Sequence, residues 1–382
     1  MEIREVLCSK DLRRFIHFPH QLYKGDENYI PSLNILTKHT LNNKNPFLNH
    51  SQIALFLAVD NGVVVGRIAA IHNKTHLDTH QDSTGFFGFF DAINDVAVAK
   101  LLFETCEQWL KSKGIKRIIG PANLTTNDSC GFLAEGFNAP PVIMMPYNKV
   151  YYNDLCLQSG YSKLMDLNSY SIDVNNSPLE KYHHIYSKGL EAVKSNGISI
   201  RNISTKTFQK DMEQLRFVYN KSNENNWGFM PLNEEEFRAM ADDLKTTTPL
   251  DLTLVVEKNN AIIGFLIVVP DLNQVFKFIK NGRLFPFGIF RFLQKKRSIN
   301  SARIMILGIL DEYRGLGIDL LMYQQIKEAL KKRRIYKAEA CYVLENNQPM
   351  NAILNKLSEG VVKKYRIYEK APEEQRAQEI GI

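Results

Sequence analysis

Ile306-Leu307-Gly308-Ile309-Leu310-Asp311-Glu312-Tyr313-Arg314-Gly315-Leu316-Gly317-Ile318-Asp319 leads directly into Leu320-Leu321-Met322-Tyr323-Gln324-Gln325-Ile326. The apolar run before Asp311 predicts a strand, and the spacing after Gly317 predicts an amphipathic helix. The turn between them reads Arg314-x-x-Gly317-x-Asp319. A strand-turn-helix of this kind presents unpaired backbone N–H groups at the helix start, and with the helix dipole they favour an anion. Glycine lets a phosphate approach the backbone, and Arg314 adds a fixed positive charge. The candidate cradle is therefore Arg314, Gly315, Leu316, Gly317, Ile318 and Asp319. The Asp319 carboxylate would face a bound phosphate unless it turns away or caps the helix. The plainer reading of Gly315 and Gly317 is a strand-to-helix turn and nothing more.

With 382 residues the chain is long enough for two domains with separate cores. Its 44% hydrophobic and 23% charged residues suit a soluble globular protein. The longest apolar runs, such as Ala261 to Pro270, are too short for a bilayer span. Met1-Glu2-Ile3-Arg4-Glu5 opens with mixed charge and not as a signal peptide. The five cysteines are scattered, with no C-x-x-C spacing. They predict thiols in a reducing, cytoplasmic setting, not a disulfide or zinc framework. A net charge of +7 suits anionic partners in general: CoA, nucleic acid or an anionic membrane surface.

The chain also matches itself. Leu55-Phe56-Leu57-Ala58-Val59-Asp60-Asn61-Gly62-Val63-Val64-Val65-Gly66 resembles Thr253-Leu254-Val255-Val256-Glu257-Lys258-Asn259-Asn260-Ala261-Ile262-Ile263-Gly264, and both predict a hairpin. Gly88-Phe89-Phe90-Asp91 matches Gly308-Ile309-Leu310-Asp311, and Gly160-Tyr161-Ser162-Lys163 matches Gly360-Val361-Val362-Lys363. The separation between matches goes from 198 residues to 220 and back to 200. One insertion in each half accounts for this, and the common order of the matches is what makes the duplication. Each half reads strand, helices, hairpin, strand, helix, strand, helix, strand. The boundary is expected near Val174-Asn175-Asn176-Ser177-Pro178, giving domains 1–174 and 175–382. The tail after Ala371 is expected to be frayed.

The second-half turn is similar to the acyl-CoA pyrophosphate loop of the GNAT superfamily of N-acyltransferases, whose pattern is Arg/Gln-x-x-Gly-x-Gly/Ala. Asp319 departs from it. The resemblance implies an α+β fold: two tandem GNAT-like domains, each a mixed, mostly antiparallel sheet flanked by helices. Gly85-Phe86-Phe87-Gly88-Phe89-Phe90, Gly120-Pro121-Ala122-Asn123, Trp227-Gly228-Phe229-Met230-Pro231 and Leu344-Glu345-Asn346-Asn347 extend the likeness to bacterial tandem-GNAT proteins of about this length, which include lipid-amine N-acylating members. It implies acetyl-CoA or a longer acyl-CoA as co-substrate, an amine acceptor and no metal. Asn347 fits the asparagine that contacts the pantetheine arm. Leu354 stands where many relatives have a tyrosine that protonates the leaving thiolate.

The chemistry is expected to be direct transfer. The amine must lose a proton, and Glu345 is the candidate base, with Asp311 and Glu312 behind it. A backbone N–H of Ile309 or Leu310 is expected to polarise the thioester carbonyl. Trp227 is either a core anchor or a wall of the acceptor pocket. The first-half counterpart of Arg314-x-x-Gly317-x-Asp319 is Asn94-x-x-Ala97-x-Ala99. It lacks the arginine and has Asp91 and Asp95 nearby, so the first half is expected to be degenerate.

Residues 275–297 form a basic aromatic insert, with no acidic residue from Leu272 to Leu310. Apolar and basic residues together suit peripheral contact with an anionic membrane or an acyl-lipid pocket. Arg-Phe mixtures also suit nucleic acid, tRNA above all. The plain alternative is two short core-packed helices broken at Gly282 and Pro286. His72, His76 and His80 have the spacing of helical metal ligands but run from a strand into a polar stretch, so a surface loop is expected. Two other functional classes stay open: an aminoacyl-tRNA-dependent transferase of tandem GNAT fold, and a catalytically silent binding protein, suggested by Asp319 and Leu354.

Overall fold

The structure, a computed structural model, describes residues 1–176 and 178–371. The first half runs β1 (Glu2–Glu5), α1 (Ser9–Leu22), α2 (Asn34–Thr40), β2 (Gln52–Asp60), β3 (Val63–His72), α3 (Lys74–His80), β4 (Thr84–Ala92), α4 (Val96–Lys111), β5 (Arg117–Gly120), β6 (Phe132–Glu135), α5 (Tyr152–Gln158) and β7 (Ser162–Asp173). The second runs α6 (His183–Ser195), β8 (Ile198–Asn202), α7 (Phe208–Asn223), α8 (Glu234–Thr247), β9 (Thr253–Lys258), β10 (Ala261–Pro270), α9 (Asn273–Phe276), α10 (Gly288–Lys295), β11 (Ser301–Ile309), α11 (Ile318–Lys332), β12 (Lys337–Leu344), α12 (Gln348–Leu357) and β13 (Val361–Lys370).

Both expected hairpins form, and both turn in the same way. Asn61 and Gly62 link β2 to β3 with φ of 45° and 81°, and Asn259 and Asn260 link β9 to β10 with φ of 52° and 64°. Two successive left-handed residues give the tight turn whose twist matches paired strands, and asparagine and glycine tolerate it best.

The compact units are not the two halves of the sequence. One comprises Met1–Leu167, Asn273–Lys296 and Lys363–Ile382; the other comprises Asn168–Leu272 and Arg297–Val362. The insert and the last strand thus pack with the first half. In the first unit the strand order is β1-β2-β3-β4-β5-β13, with β6 also on β13. In the second it is β12-β11-β10-β9-β8, with β7 beside β12. Each sheet is mostly antiparallel with one parallel pair, β4–β5 and β11–β12 respectively.

Strand alternation sends side chains to two cores in each unit. Phe56 and Ala58 pack with α4 and α5, while Leu57 and Val59 pack with Phe15 of α1. In the second unit Leu254 and Val256 face α11, and Val255 faces α7 and α8. The tail after Ala371 lies outside the described residues.

Candidate functional site

β11 ends in a short turn, Asp311–Tyr313, before Arg314. Gly315 and Gly317 both sit at φ of 76°, a backbone region in which a side chain is strained, so the glycines are required here. Gly317 is the N-cap of α11, and no side chain caps the helix there. Arg314 gathers three partners: Nε donates to the Ile309 carbonyl at 3.0 Å, Nη2 to the Ser222 carbonyl at 2.8 Å, and Nη1 pairs with Asp311 at 2.9 Å. It ties the loop to the end of β11 and to the last turn of α7 while staying about half exposed. On another side the α6 backbone comes so near that a Cβ on Gly189 would stand 2.8 Å from the Gly317 carbonyl oxygen.

The Asp319 carboxyl lies near the backbone N–H groups of Leu320 and of Asp319 itself, at the start of α11. Burial pushes its carboxyl above the usual range, and those N–H groups oppose the shift only in part. One turn on, burial and the neighbouring Asp319 raise the Tyr323 phenol.

β11 and β12 pair in parallel from Ser301↔Lys337 to Ile304↔Ala340. Both strands continue past the last pair, to Ile309 and Leu344. In an antiparallel pair, successive residues direct their N–H groups to opposite sides. Leu310 donates to the Ile263 carbonyl at 3.0 Å, so its N–H is spent on the sheet. Ile309, opposite Gly264 on β10, therefore directs its N–H to the β12 side. Of these two residues, Leu310 gives its N–H to β10 and Ile309 turns its N–H away from it. A Cβ on the neighbouring Gly308 would stand 2.5 Å from the Phe265 ring and 2.6 Å from Ser222 Oγ, so a larger residue there would displace those side chains.

On the facing strand Glu345 follows the end of β12 and is partly exposed. Asn347 caps α12, its side chain accepting the Met350 N–H at 3.2 Å. The turn is pinned by Asn351, whose amide donates to the Leu344 and Asn347 carbonyls, both at 2.8 Å. Its oxygen accepts from Tyr170 at 2.7 Å and Asn168 at 3.1 Å. Leu354 is buried against Tyr170 and Val343. Trp227 lies half-buried in the turn after α7, where Phe229 and Met230 are the buried residues. Ser222, Tyr170 and Asn351 escaped the sequence reading. Asn351 carried a signal, because asparagine inside a helix commonly marks a side chain bonded to backbone.

The first unit has the same frame with its openings filled by its own chain. The Asp95 carboxylate accepts from Ala97 and Val98 at 2.8 and 3.4 Å, so the start of α4 carries its own anion. Beside β4, Ala122 donates to the Phe87 carbonyl at 2.8 Å. Asn123 Oδ1 accepts the Phe89 N–H at 2.8 Å. Asp91 is buried and held by Arg67 at 2.7 Å and by the Tyr23 and Tyr152 hydroxyls, both at 3.0 Å. The stretch expected to be a histidine loop is instead helix α3, capped by Asn73. His76 packs edge-on against Phe86 and meets Asp82 at 3.2 Å. The asparagine cap and the burial of His76 explain why a helix wins there.

The insert divides into a buried and an exposed part. Val275, Phe276 and Ile279 are buried, whereas Phe285, Phe287, Phe290 and Leu293 are 65%, 76%, 68% and 62% exposed. Spacing of three puts Phe287, Phe290 and Leu293 on one face of α10. Lys277, Lys280, Arg283, Arg291 and Lys296 are exposed around them. Asn34 of α2 donates to the Asn281 carbonyl at 2.8 Å, and α2 adds exposed Ile35 and Leu36. Among the described residues no helix is long and apolar enough to cross a membrane.

No family model matches the chain. It is 36% identical to protein YghO of Escherichia coli (strain K12), over 96% of this chain and 95% of that protein. It is 31% identical to the bacterial ceramide synthase of Caulobacter vibrioides, over 97% of each. A tandem GNAT protein from the clavulanic acid biosynthesis pathway superposes with a TM-score of 0.57 at 10% identity, covering 97% of this chain and 98% of its own. A GCN5-related N-acetyltransferase from Sphaerobacter thermophilus does so with a TM-score of 0.52 at 11% identity, covering 97% and 95%. These two structures establish the fold.

Proposed function

This chain belongs to one family with protein YghO and the bacterial ceramide synthase and carries the tandem GNAT fold, and from that premise we propose that it moves an acyl group from a pantetheine thioester directly to the amine of a long-chain lipid. The donor is an acyl-CoA or an acylated carrier protein. A ceramide is the amide of a fatty acid and a long-chain amino alcohol, so the relative's name directs the acceptor class.

The observation that carries the reading is the asymmetry between matched N–H groups. Ala92, opposite Gly66 as Ile309 is opposite Gly264, gives its N–H to the Tyr152 hydroxyl at 3.2 Å, whereas the Ile309 N–H is turned to the β12 side. In the second unit the thioester oxygen takes the Ile309 N–H, which holds its negative charge as the tetrahedral intermediate forms. The phosphates lie against Gly315 to Asp319 and Arg314, and Asn347 borders the pantetheine arm. The amine nitrogen attacks the carbonyl carbon and a C–N bond forms. The C–S bond then breaks, the thiolate departs, and the proton lost by nitrogen passes to Glu345 or through water. A thiolate leaves without an acid at neutral pH, which suits Leu354 in place of a tyrosine. The exposed apolar and basic insert, with α2, brings the protein to the anionic surface in which a lipid amine resides.

The test is incubation with hexadecanoyl-CoA and sphinganine, with mass spectrometry of the N-acylated product and titration of the released thiol. Product is expected, and Glu345→Gln should lower turnover roughly 100-fold at constant CoA affinity. Acylation of small amines but not of sphinganine would move the acceptor class. Salt-sensitive tRNA binding without lipid acylation would favour the aminoacyl-tRNA-dependent transferase. CoA binding with no acceptor turned over would leave a silent binding protein.

A further inference from the structure

On the face of β9–β11 opposite α11, an apolar pocket, partly open to solvent, lies beneath α7 and α8. Met212, Phe237, Met240, Ala241, Phe265 and Ile306 give it apolar walls. An opening walled by apolar side chains between two amphipathic helices and a sheet offers an apolar group a place out of water. Thr248 at the end of α8 also lines it. This side chain is 7% exposed, and its hydroxyl has no hydrogen-bond partner. A buried hydroxyl left unpaired costs free energy that a ligand's polar atom would recover. The cavity also adjoins the transfer site: Ile306 stands two strand positions before Gly308, and Phe265 is the residue opposite Gly308 on β10.

We infer that this cavity receives the aliphatic chain of a transfer substrate, with the Thr248 hydroxyl as its polar contact to a hydroxyl or similar group on that chain. An unbranched chain threads between the two helices, leaving its reactive end beside Gly308 and Ile309. Without Thr248 the walls would select only for length; with it they also read one polar substituent. The inference rests on the acyl-transfer reading for the identity of the chain and on the cavity for its place.

The experiment reads binding without turnover. Hexadecanoyl-CoA, its shorter homologues, hexadecylamine and octylamine are titrated calorimetrically into the full chain. Affinity should rise about fourfold per CH₂ until the cavity is filled. Ala241→Phe, which fills the cavity, should shift that limit to shorter chains, and Met240→Ala should extend it, with thermal melts confirming that each variant folds. If only the CoA series responds to these changes, the chain is the donor's; if only the amine series responds, it is the acceptor's. A chain-length profile unmoved by both variants overturns the inference. Thr248→Val should weaken 3-hydroxyhexadecanoyl-CoA about tenfold relative to hexadecanoyl-CoA, and equal effects on the two would remove Thr248 from it. Chain-length-dependent binding that responds to Ala241→Phe, without acyl product, keeps the cavity and rejects the transfer reading. Transfer whose chain preference ignores both cavity variants keeps transfer and rejects the cavity.

Discussion

The Tyr152 hydroxyl accepts the Ala92 N–H at 3.2 Å, and Ala92 holds opposite Gly66 the strand position that Ile309 holds opposite Gly264. The hydroxyl oxygen of one side chain thus stands where the second half would hold the oxygen of a thioester. Tyr152→Phe leaves that N–H unpaired and should cost roughly 1–3 kcal/mol of stability, read as a lower denaturation midpoint. Acyl transfer per folded molecule should not change. Lost turnover at full stability would place chemistry in the first half and reverse the assignment.

Arg314 ties the loop to Ile309 and Ser222 and is expected to reach the phosphates as well. Arg314→Ala should weaken CoA binding by roughly 1–3 kcal/mol. Arg314→Lys should recover only part, because a lysine cannot bridge two carbonyls in one plane. Calorimetry giving a parental dissociation constant for the alanine variant would put the phosphates elsewhere.

Asp319 makes a pH-dependent contribution. Its folded carboxyl is raised by burial, so the folded chain keeps a proton that the unfolded chain, with a carboxyl near 3.8, has released. The ionised form is therefore a penalty, absent below the unfolded value and growing as pH rises through the folded one. Asp319→Asn should melt at a higher temperature than the parent at pH 7, with the gap closing toward pH 4. The same change should tighten CoA binding at pH 7, because a negative charge leaves the helix start. A melting gap that persists unchanged at pH 4 would assign it to packing instead of charge.

Tyr170 and Asn351 should act together on the Leu344–Asn347 turn. Tyr170→Phe should cost about 0.5–1.5 kcal/mol and Asn351→Leu roughly 1–3 kcal/mol. The double variant should lose less than the sum, since the two side chains share one hydrogen-bond network. Strictly additive losses in urea denaturation would show that Tyr170 does not support the turn through Asn351.

The insert should bind vesicles through both of its components. Flotation should require anionic lipid, weaken with added salt, and fall when Lys277, Lys280 and Lys296 become Ser, each basic residue contributing about 1 kcal/mol near the surface. Phe287→Ser with Phe290→Ser should reduce binding even at low salt. Vesicle binding indifferent to both sets would leave the insert with no membrane role.

Local chemistry made much of the fold legible. The paired hairpins announced themselves through Asn-Gly and Asn-Asn, and the strand-to-helix turn before α11 through Gly315 and Gly317, because these residues tolerate the backbone those turns need. Packing between distant segments could not be read in that way. Nothing in the spacing of His72, His76 and His80 tells a loop from a helix until Asn73 is seen to cap it. The choice between Ile309 and Leu310 depended on strand register, which one sequence does not specify. Asn351 and Tyr170 are separated by 180 residues of chain, and only the folded sheet brings them within 2.7 Å.

The last strand of the first unit, paired through Tyr368↔Gly120 and Arg366↔Phe132, is made of residues near 370. A ribosome delivers those residues only after every other element has emerged. Domains ordinarily fold in the order of synthesis. Here the unit that begins first is completed last, with the edges of β5 and β6 awaiting their partner throughout elongation. Expressing residues 1–174 as a separate piece would remove that partner for good, so the first half of the sequence is not by itself a unit of folding.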